Sequence, residues 1–240
     1  MSKRFCPQCE GELVVQSTPP ITGHCPMCKW SGPVDEFLTG FKPNAAGPKT
    51  DWTPYVSIDL ETTGLDPCEC QVLEFGAVID DWHSPIDELP RFQRDILPCE
   101  GYISGQPYAL ALNADILRRL HDNGGLEEEL LGRQFAQWLE ENGLDPKHVQ
   151  ASGKNFSSFD AQFLLRMPQF SEHVHFKHRA IDPAVFYWRP DIDDCLPSTS
   201  ECLRRADLPD RVAHTAVEDC ITVIQLIRRG VRKCGLSVAD

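Results

Sequence analysis

The chain has no long apolar run: no stretch approaches the roughly 18 uncharged apolar residues that a membrane span requires, so the sequence predicts a soluble protein. It is also short of positive charge, with 23 Lys and Arg against 36 Asp and Glu, a net charge of −13. The opening residues Met-Ser-Lys-Arg-Phe-Cys-Pro-Gln-Cys-Glu carry no apolar leader core and no small-residue cleavage site, and the expected compartment is therefore the cytoplasm. What is present is a chain of 240 residues that is 41% hydrophobic. That is enough for a sizeable core in one or two domains, and it excludes a fibrous or disordered chain. Eleven cysteines, an odd number, in a reducing compartment point to metal binding or burial rather than to disulfides.

Charge divides the chain unevenly. Residues 1–50 carry five basic and four acidic side chains, whereas residues 51–240 carry 18 and 32. Between them Thr39 to Thr50 is rich in Gly, Pro and small residues with no apolar period, which reads as a linker. The expected division is residues 1–38, a linker over 39–52, and a larger domain over 53–240. In the first segment Cys6-Pro7-Gln8-Cys9 and Cys25-Pro26-Met27-Cys28 form two C-x2-C pairs that resemble a zinc ribbon. Four thiolates at this spacing close a tetrahedral site for one structural Zn²⁺. So short a segment holds little core, so metal binding supplies much of its folding free energy. Such a ribbon binds nucleic acid, binds a protein partner or caps a neighbour. Lys29, Trp30 and Phe37 are candidate contacts, with core packing the alternative for the two aromatics.

The second segment alternates strand-like and helix-like stretches. Tyr55 to Leu60, Val72 to Ile79 and, more weakly, Arg91 to Leu97 read as strands. Leu126, Leu130, Leu131, Phe135, Trp138 and Leu139 recur at helical spacing, with Glu127, Glu128 and Glu129 in the first turn. A short strand near Val149 to Ser152, a helix after Phe159, a strand near Phe176 to Ile181 and a last helix from Thr215 to Arg229 complete the pattern. Strands followed by interleaved helices predict an α/β domain with a mixed sheet.

Three short segments carry candidate chemistry. Asp59 and Glu61 flank Leu60 at the end of an apolar strand, and a period of two sends both carboxylates to one face, where they can share a metal ion. Thr62-Thr63-Gly64-Leu65 follows, a turn whose amides can approach a ligand at Gly64. Asp160 ends Asn155-Phe156-Ser157-Ser158-Phe159-Asp160, early in a helix, where its charge also suits the positive N-terminus. His214-Thr215-Ala216-Val217-Glu218-Asp219 opens the last helix. His214 and Asp219 would lie about 140° apart were both helical, which puts His214 on the preceding loop, over the face that carries Asp219.

Taken in this order, the three segments resemble the motifs of the DEDDh branch of the DnaQ-like 3′→5′ exonucleases, which have a ribonuclease H-like fold: a mixed sheet flanked by helices. The resemblance spans roughly residues 53–235. Gly105-Gln106-Pro107-Tyr108-Ala109-Leu110 is similar to the family's substrate-side loop, and His178 to Pro183 is a further match. The resemblance implies that Asp59, Glu61, Asp160 and Asp219 bind two Mg²⁺ or Mn²⁺ ions, and that His214 is the general base. It implies a terminal nucleotide held by Thr62, Thr63, Gly64 and Leu65, with Leu112 and Asn113 at the next base and Asn155 ordering the second motif. On the residues alone, Leu65 and Leu112 read equally as core, and Phe156 and Phe159 as packing. The expected activity is stepwise hydrolysis of single-stranded DNA or RNA to nucleoside 5′-monophosphates, with an oligoribonuclease-like preference for very short RNA as the nearest variant. A binding module without catalysis is the rival. Excess negative charge disfavours long duplexes, and Arg118, Arg119, Lys154, Arg204, Arg205 and Arg211 are either a basic rim or scattered surface charges.

Overall fold

The computed structural model describes residues 14–15, 22–24, 31–33, 52–209 and 215–239. Two compact units divide at residue 51, Met1–Asp51 and Trp52–Asp240. In the first, β1 (Val14–Val15), β2 (Thr22–His24) and β3 (Ser31–Pro33) form an antiparallel sheet in that order, with Val14 opposite His24 and Gly23 opposite Gly32. Cys6, Cys9, Cys25, Cys28, Lys29, Trp30, Phe37 and residues 39–51 of the linker lie outside the described residues.

Among the described residues of the second unit, five strands make one sheet: β4 (Tyr55–Thr62), β5 (Val72–Asp80), β6 (Arg91–Leu97), β7 (Leu126–Glu127) and β8 (Ala151–Ser152). Their order is β7-β6-β5-β4-β8. β5 runs antiparallel to both β4 and β6, while β8 lies parallel to β4 and β7 parallel to β6, which makes the sheet mixed. The helices are α1 (Pro107–Leu112), α2 (Ala114–Asn123), α3 (Leu131–Glu141), α4 (Asp160–Leu164), α5 (Phe170–His173), α6 (Thr199–Ala206) and α7 (Ala216–Lys233).

Both faces of the sheet are covered, which is why all nine residues of β5 are buried and why its sequence is nearly continuous in apolar residues. On one face Val56, Ile58, Leu60, Phe75 and Ala77 pack with Leu131, Phe135 and Leu139 of α3, Phe163 and Leu164 of α4, and Phe170 of α5. The rings of Phe75 and Phe135 meet edge to face at 4.8 Å. Truncating a fully buried Phe at such a site costs about 3–5 kcal/mol. On the other face Tyr55 and Val78 pack with Val217, Cys220, Ile224, Ile227 and Val231 of α7. Alternation along β5 turns Glu74, Gly76, Val78 and Asp80 toward that helix. A Cβ on Gly76 would sit 2.5 Å from the carbonyl carbon of Ala216, so the helix begins directly on the strand. Twelve residues on, buried Arg228 donates to Asp80 at 2.6 Å. The Ala216 amide also donates to Glu74, and between these two contacts twelve helical residues rise about 18 Å and the six strand residues from Glu74 to Asp80 about 20 Å; α7 therefore lies along β5.

Two expectations from periodicity need correction. The helix anticipated from Leu126 begins only at Leu131: Leu126 and Glu127 pair with Ile96 and Leu97 as β7, and Glu128–Leu130 is a 3₁₀ turn. Backbone pairing with β6 outweighs helical spacing there. Between Phe176 and Ile181 there is no continuous strand, only single bridges from Phe176 to Val149 and from Ile181 to Ser152. The sequence reading also missed α1, α2, α5 and α6, of which α1 and α5 are only six and four residues long.

Candidate active site

The site grows from the end of β4. Asp59 and Glu61 are half-buried while Ile58, Leu60 and Thr62 are buried, the alternation expected of a strand whose two faces differ. β4 runs on past β8, which pairs only with Val56 and Ser57. The amide of Leu60 has no partner there in β8, and Asp160, the first residue of α4 and only 3% exposed, accepts from it through Oδ1 at 3.1 Å. Asp219 comes from the first turn of α7, where the Thr215 hydroxyl accepts from the Glu218 amide as the N-cap. One ligand oxygen from each of Asp59, Glu61 and Asp219 lies within 4.8 Å of the others.

Charge crowding is evident in the acids themselves. Burial, and then the negative charges of Asp160, Asp219, Glu61 and Glu74, hold the Asp59 carboxyl well above the usual carboxylate range. Burial pushes Asp160 up to about 7, although the Leu60 amide draws it down. Asp219 is pushed up to about 6 by burial, with Glu218 and Glu74 adding to the effect. Acids that repel one another in a partly desolvated place need cations to ionise together. An all-oxygen set of this kind fits hard divalent ions such as Mg²⁺ and Mn²⁺.

The turn after β4 is built tightly. Thr63 is fully buried; its hydroxyl accepts from the Gln71 amide at 2.9 Å, and its carbonyl accepts from the Gln106 amide at 2.7 Å. A Cβ on Gly64 would lie 2.6 Å from the Cys70 sulfur. Thr62 donates through its hydroxyl to the Gly64 carbonyl and its own carbonyl accepts from Asn113 Nδ2 at 3.1 Å. Thr62, Thr63, Gly64, Leu65, Leu112 and Asn113 are thus brought together beside the acids. Leu65 is 73% exposed and Leu112 45%, so the reading of these two as core residues falls. Tyr108, 81% exposed, lies one helical turn before Leu112 on the same face of α1. Asn113 is buried with its Oδ1 unpaired.

Asn155 sits apart from this turn, in a left-handed conformation at φ 61°. Its amide donates to Asp182 at 3.0 Å and its side chain accepts from Lys154. Phe156 packs edge to face on Phe176, and Phe159 on Phe163, so both serve packing. His214 lies outside the described residues, two positions before Ala216 opens α7. Among the described candidates for a basic rim, Arg118 pairs with Asp115, Arg119 with Glu74 and Asp95, Lys154 with Asp182, Arg204 with Glu201 and Arg205 with Asp193. Arg211 lies outside the described residues. Glu74 is the residue the sequence reading missed; its only signal is a lone charge inside the apolar run of β5.

A cavity of about 650 Å³ is lined by Leu97, Tyr102, Ile103, Leu117 and Leu120 among others, and by none of the four acids. No helix among the described residues is long and apolar enough to cross a membrane.

No family model matches the chain. The oligoribonuclease of Pasteurella multocida (strain Pm70) is 26% identical over 170 residues, covering 66% of this chain and 88% of that protein. Among solved structures, the nuclease domain of 3′hExo, a DEDDh family member bound to rAMP, aligns over 81% of this chain and 99% of its own at a TM-score of 0.57 and 17% identity. Cell-death related nuclease 4 (CRN-4) aligns at a TM-score of 0.55 and 18% identity, over 76% of this chain and 65% of its own length. The likeness to these two structures is one of fold. The likeness in sequence to the oligoribonuclease supports a 3′→5′ exonuclease.

Proposed function

We propose that the chain removes nucleotides from the 3′ end of short or single-stranded nucleic acid, with Asp59, Glu61, Asp160 and Asp219 holding two Mg²⁺ or Mn²⁺ ions and His214 as general base. The observation that carries this reading is the convergence of Asp59, Glu61 and Asp219 oxygens within 4.8 Å of one another, with Asp160 against the same strand. When bound, the ions would lower the pKa of a water on one side of the scissile phosphate and stabilise the departing 3′ oxygen on the other.

The chain's own groups do the rest. His214, with an ordinary pKa near 6.5, takes the proton of the attacking water, a role worth about 10² to 10⁴ in rate. Thr62, Thr63 and Gly64 present backbone to the terminal nucleotide, Leu65 and Leu112 offer apolar surface to bases, and Asn113 holds the Thr62 carbonyl through Nδ2. Asn155 orders the backbone before Asp160. A net charge of −13 and ion-paired arginines favour substrates with few phosphates. With the sequence likeness to an oligoribonuclease, this makes very short RNA the nearest variant. The retained acids argue against a module that only binds.

For the first unit, the spacing of Cys6, Cys9, Cys25 and Cys28 and the adjacent three-stranded sheet favour a ribbon closed by one Zn²⁺, serving as a contact for nucleic acid or a protein partner. Cytoplasmic placement remains part of the same proposal.

The experiment is a length series of 3′ and 5′ end-labelled DNA and RNA oligonucleotides, incubated with Mn²⁺, with Mg²⁺ or with EDTA. Metal-dependent shortening from the 3′ end, fastest on the shortest RNA, is the expected result. Hydrolysis undiminished by EDTA would refute it.

A further inference from the structure

We infer that Glu74 is a positioning residue of this site, fixing the first turn of α7 and through it the Asp219 carboxylate. The inference rests on the metal-dependent reading above and deepens it.

Glu74 is fully buried, and its two oxygens are divided between two tasks. Oε2 accepts from the backbone amide of Ala216 at 2.7 Å, across 142 residues of chain. Oε1 accepts from Gln93 at 2.8 Å and from Arg119 at 2.5 Å. The Ala216 amide is one of the first donors of α7, which have no partner within the helix. Thr215 serves the Glu218 amide, so the task at Ala216 falls to Glu74. Asp219 follows three residues later, and its amide bonds back to the Thr215 carbonyl. The close approach of Gly76 to Ala216 leaves the turn little room to slide along the strand.

Glu74 also stands directly opposite Glu61 in the β4–β5 register. A further carboxylate so near Asp59, Glu61 and Asp219 raises the repulsion on Asp59 and Asp219, and a neutral amide would avoid that repulsion. The acid is held instead by Arg119, which also makes two bonds to Asp95. Arg119 belongs to α2, which follows Asn113, the donor to Thr62. One carboxylate therefore ties the helix that bears a metal-binding acid to the helix beside the substrate turn. Outer partners of this kind change metal affinity or activity about 10- to 100-fold when removed.

The test uses the full chain, native and as Glu74→Gln, with Mn²⁺ alone titrated by calorimetry, melting followed in EDTA, and kcat and KM measured separately. A loss of Mn²⁺ affinity of about 10- to 100-fold, with kcat reduced alongside it and KM little changed, is expected in folded Glu74→Gln. A lower melting temperature with native Mn²⁺ affinity and native kcat would overturn the inference, since that is what a structural role alone produces. If Glu74→Gln does not fold, Arg119→Gln, altered at a partly exposed position, carries the test. Weaker Mn²⁺ binding there supports the inference and unchanged binding overturns it. A native protein that bound no Mn²⁺ would remove the metal reading and this one with it, whereas native binding with unaltered variants would remove this one alone.

Discussion

Asp160 and Leu60 are 100 residues apart and joined by one hydrogen bond, from the Leu60 amide to Asp160 Oδ1 at 3.1 Å. The bond uses the oxygen but not the charge, and the two can be separated. Asp160→Asn keeps an acceptor for the buried amide and should melt close to the native protein. Its hydrolysis should fall by more than about 100-fold, beyond the usual cost of losing an outer partner. Asp160→Ala strands the amide and should lose a further 1–3 kcal/mol or so of stability. Thermal melts and single-turnover rates on a dinucleotide compare the two; equal rates in native and Asp160→Asn protein would remove Asp160 from the metal set.

Without metal, stability should fall as pH rises. Asp160 at about 7 and Asp219 at about 6, raised above all by burial, hold protons in the native state that an unfolded Asp near 3.9 has already released. Stability from these groups is fully present below about pH 4 and is lost as pH passes about 6 to 7. Asp193, held near 2 by Arg205, and Glu201, held near 2 by Arg204 and Arg205, act in the opposite sense but below that window. In EDTA the melting temperature should be higher near pH 5 than near pH 8, and Mn²⁺ should recover much of the difference. A flat or rising profile in EDTA would contradict the charge crowding described.

His214→Ala should leave the melting curve unchanged and slow hydrolysis about 10²- to 10⁴-fold. Because the lost group is a base, the remaining rate should also lose its dependence on an ionisation near neutral pH. An unaltered rate with an unaltered pH profile would exclude His214 as the base.

Leu65 is mostly solvent-exposed, so Leu65→Ala should change stability by no more than about 0.5 kcal/mol. Its effect should appear in KM for oligonucleotides, several-fold upward, with metal affinity native. Identical kinetics before and after the substitution would show that the exposed leucine meets no base.

Arg228 and Asp80 form a pair with both side chains essentially buried, and breaking such a pair from one side costs about 3–5 kcal/mol. At about 2–4 °C for each kcal/mol, Arg228→Met should lower the melting temperature by about 6–20 °C. Denaturant midpoints give an independent measure; a loss below about 1 kcal/mol would mean the pair is not what anchors the far half of α7.

Short-range pattern makes Asp59, Glu61, Asp160 and Asp219 legible in the sequence, because each lies in a local motif and the strand period alone aligns the first two. β4, β5 and β6 were legible for the same reason. Glu74 was not, since its meaning comes from Ala216 and Arg119, partners 142 and 45 residues away. The same holds for Leu126 and Glu127, whose pairing with β6 overrode an apparent helical repeat. The exposure of Leu65 and Leu112 depends on how α1 sits against the Thr62–Gly64 turn, which neither segment reveals alone.

The register of β4 against β5 slips between Glu61 and Thr62, immediately after the second acid. Up to that point a deletion or insertion of one residue in β4 would turn Asp59 and Glu61 into the aromatic layer and Leu60 outward, inverting the strand's polarity. Beyond it the pairing resumes one residue out of step, Thr62 with Val72 and the Thr63 amide with the Gln71 carbonyl, and the chain then leaves the sheet. Length variation among homologous proteins should therefore be tolerated after Gly64 and forbidden between Tyr55 and Glu61, so the shift in register announces where the scaffold ends and adaptable recognition begins.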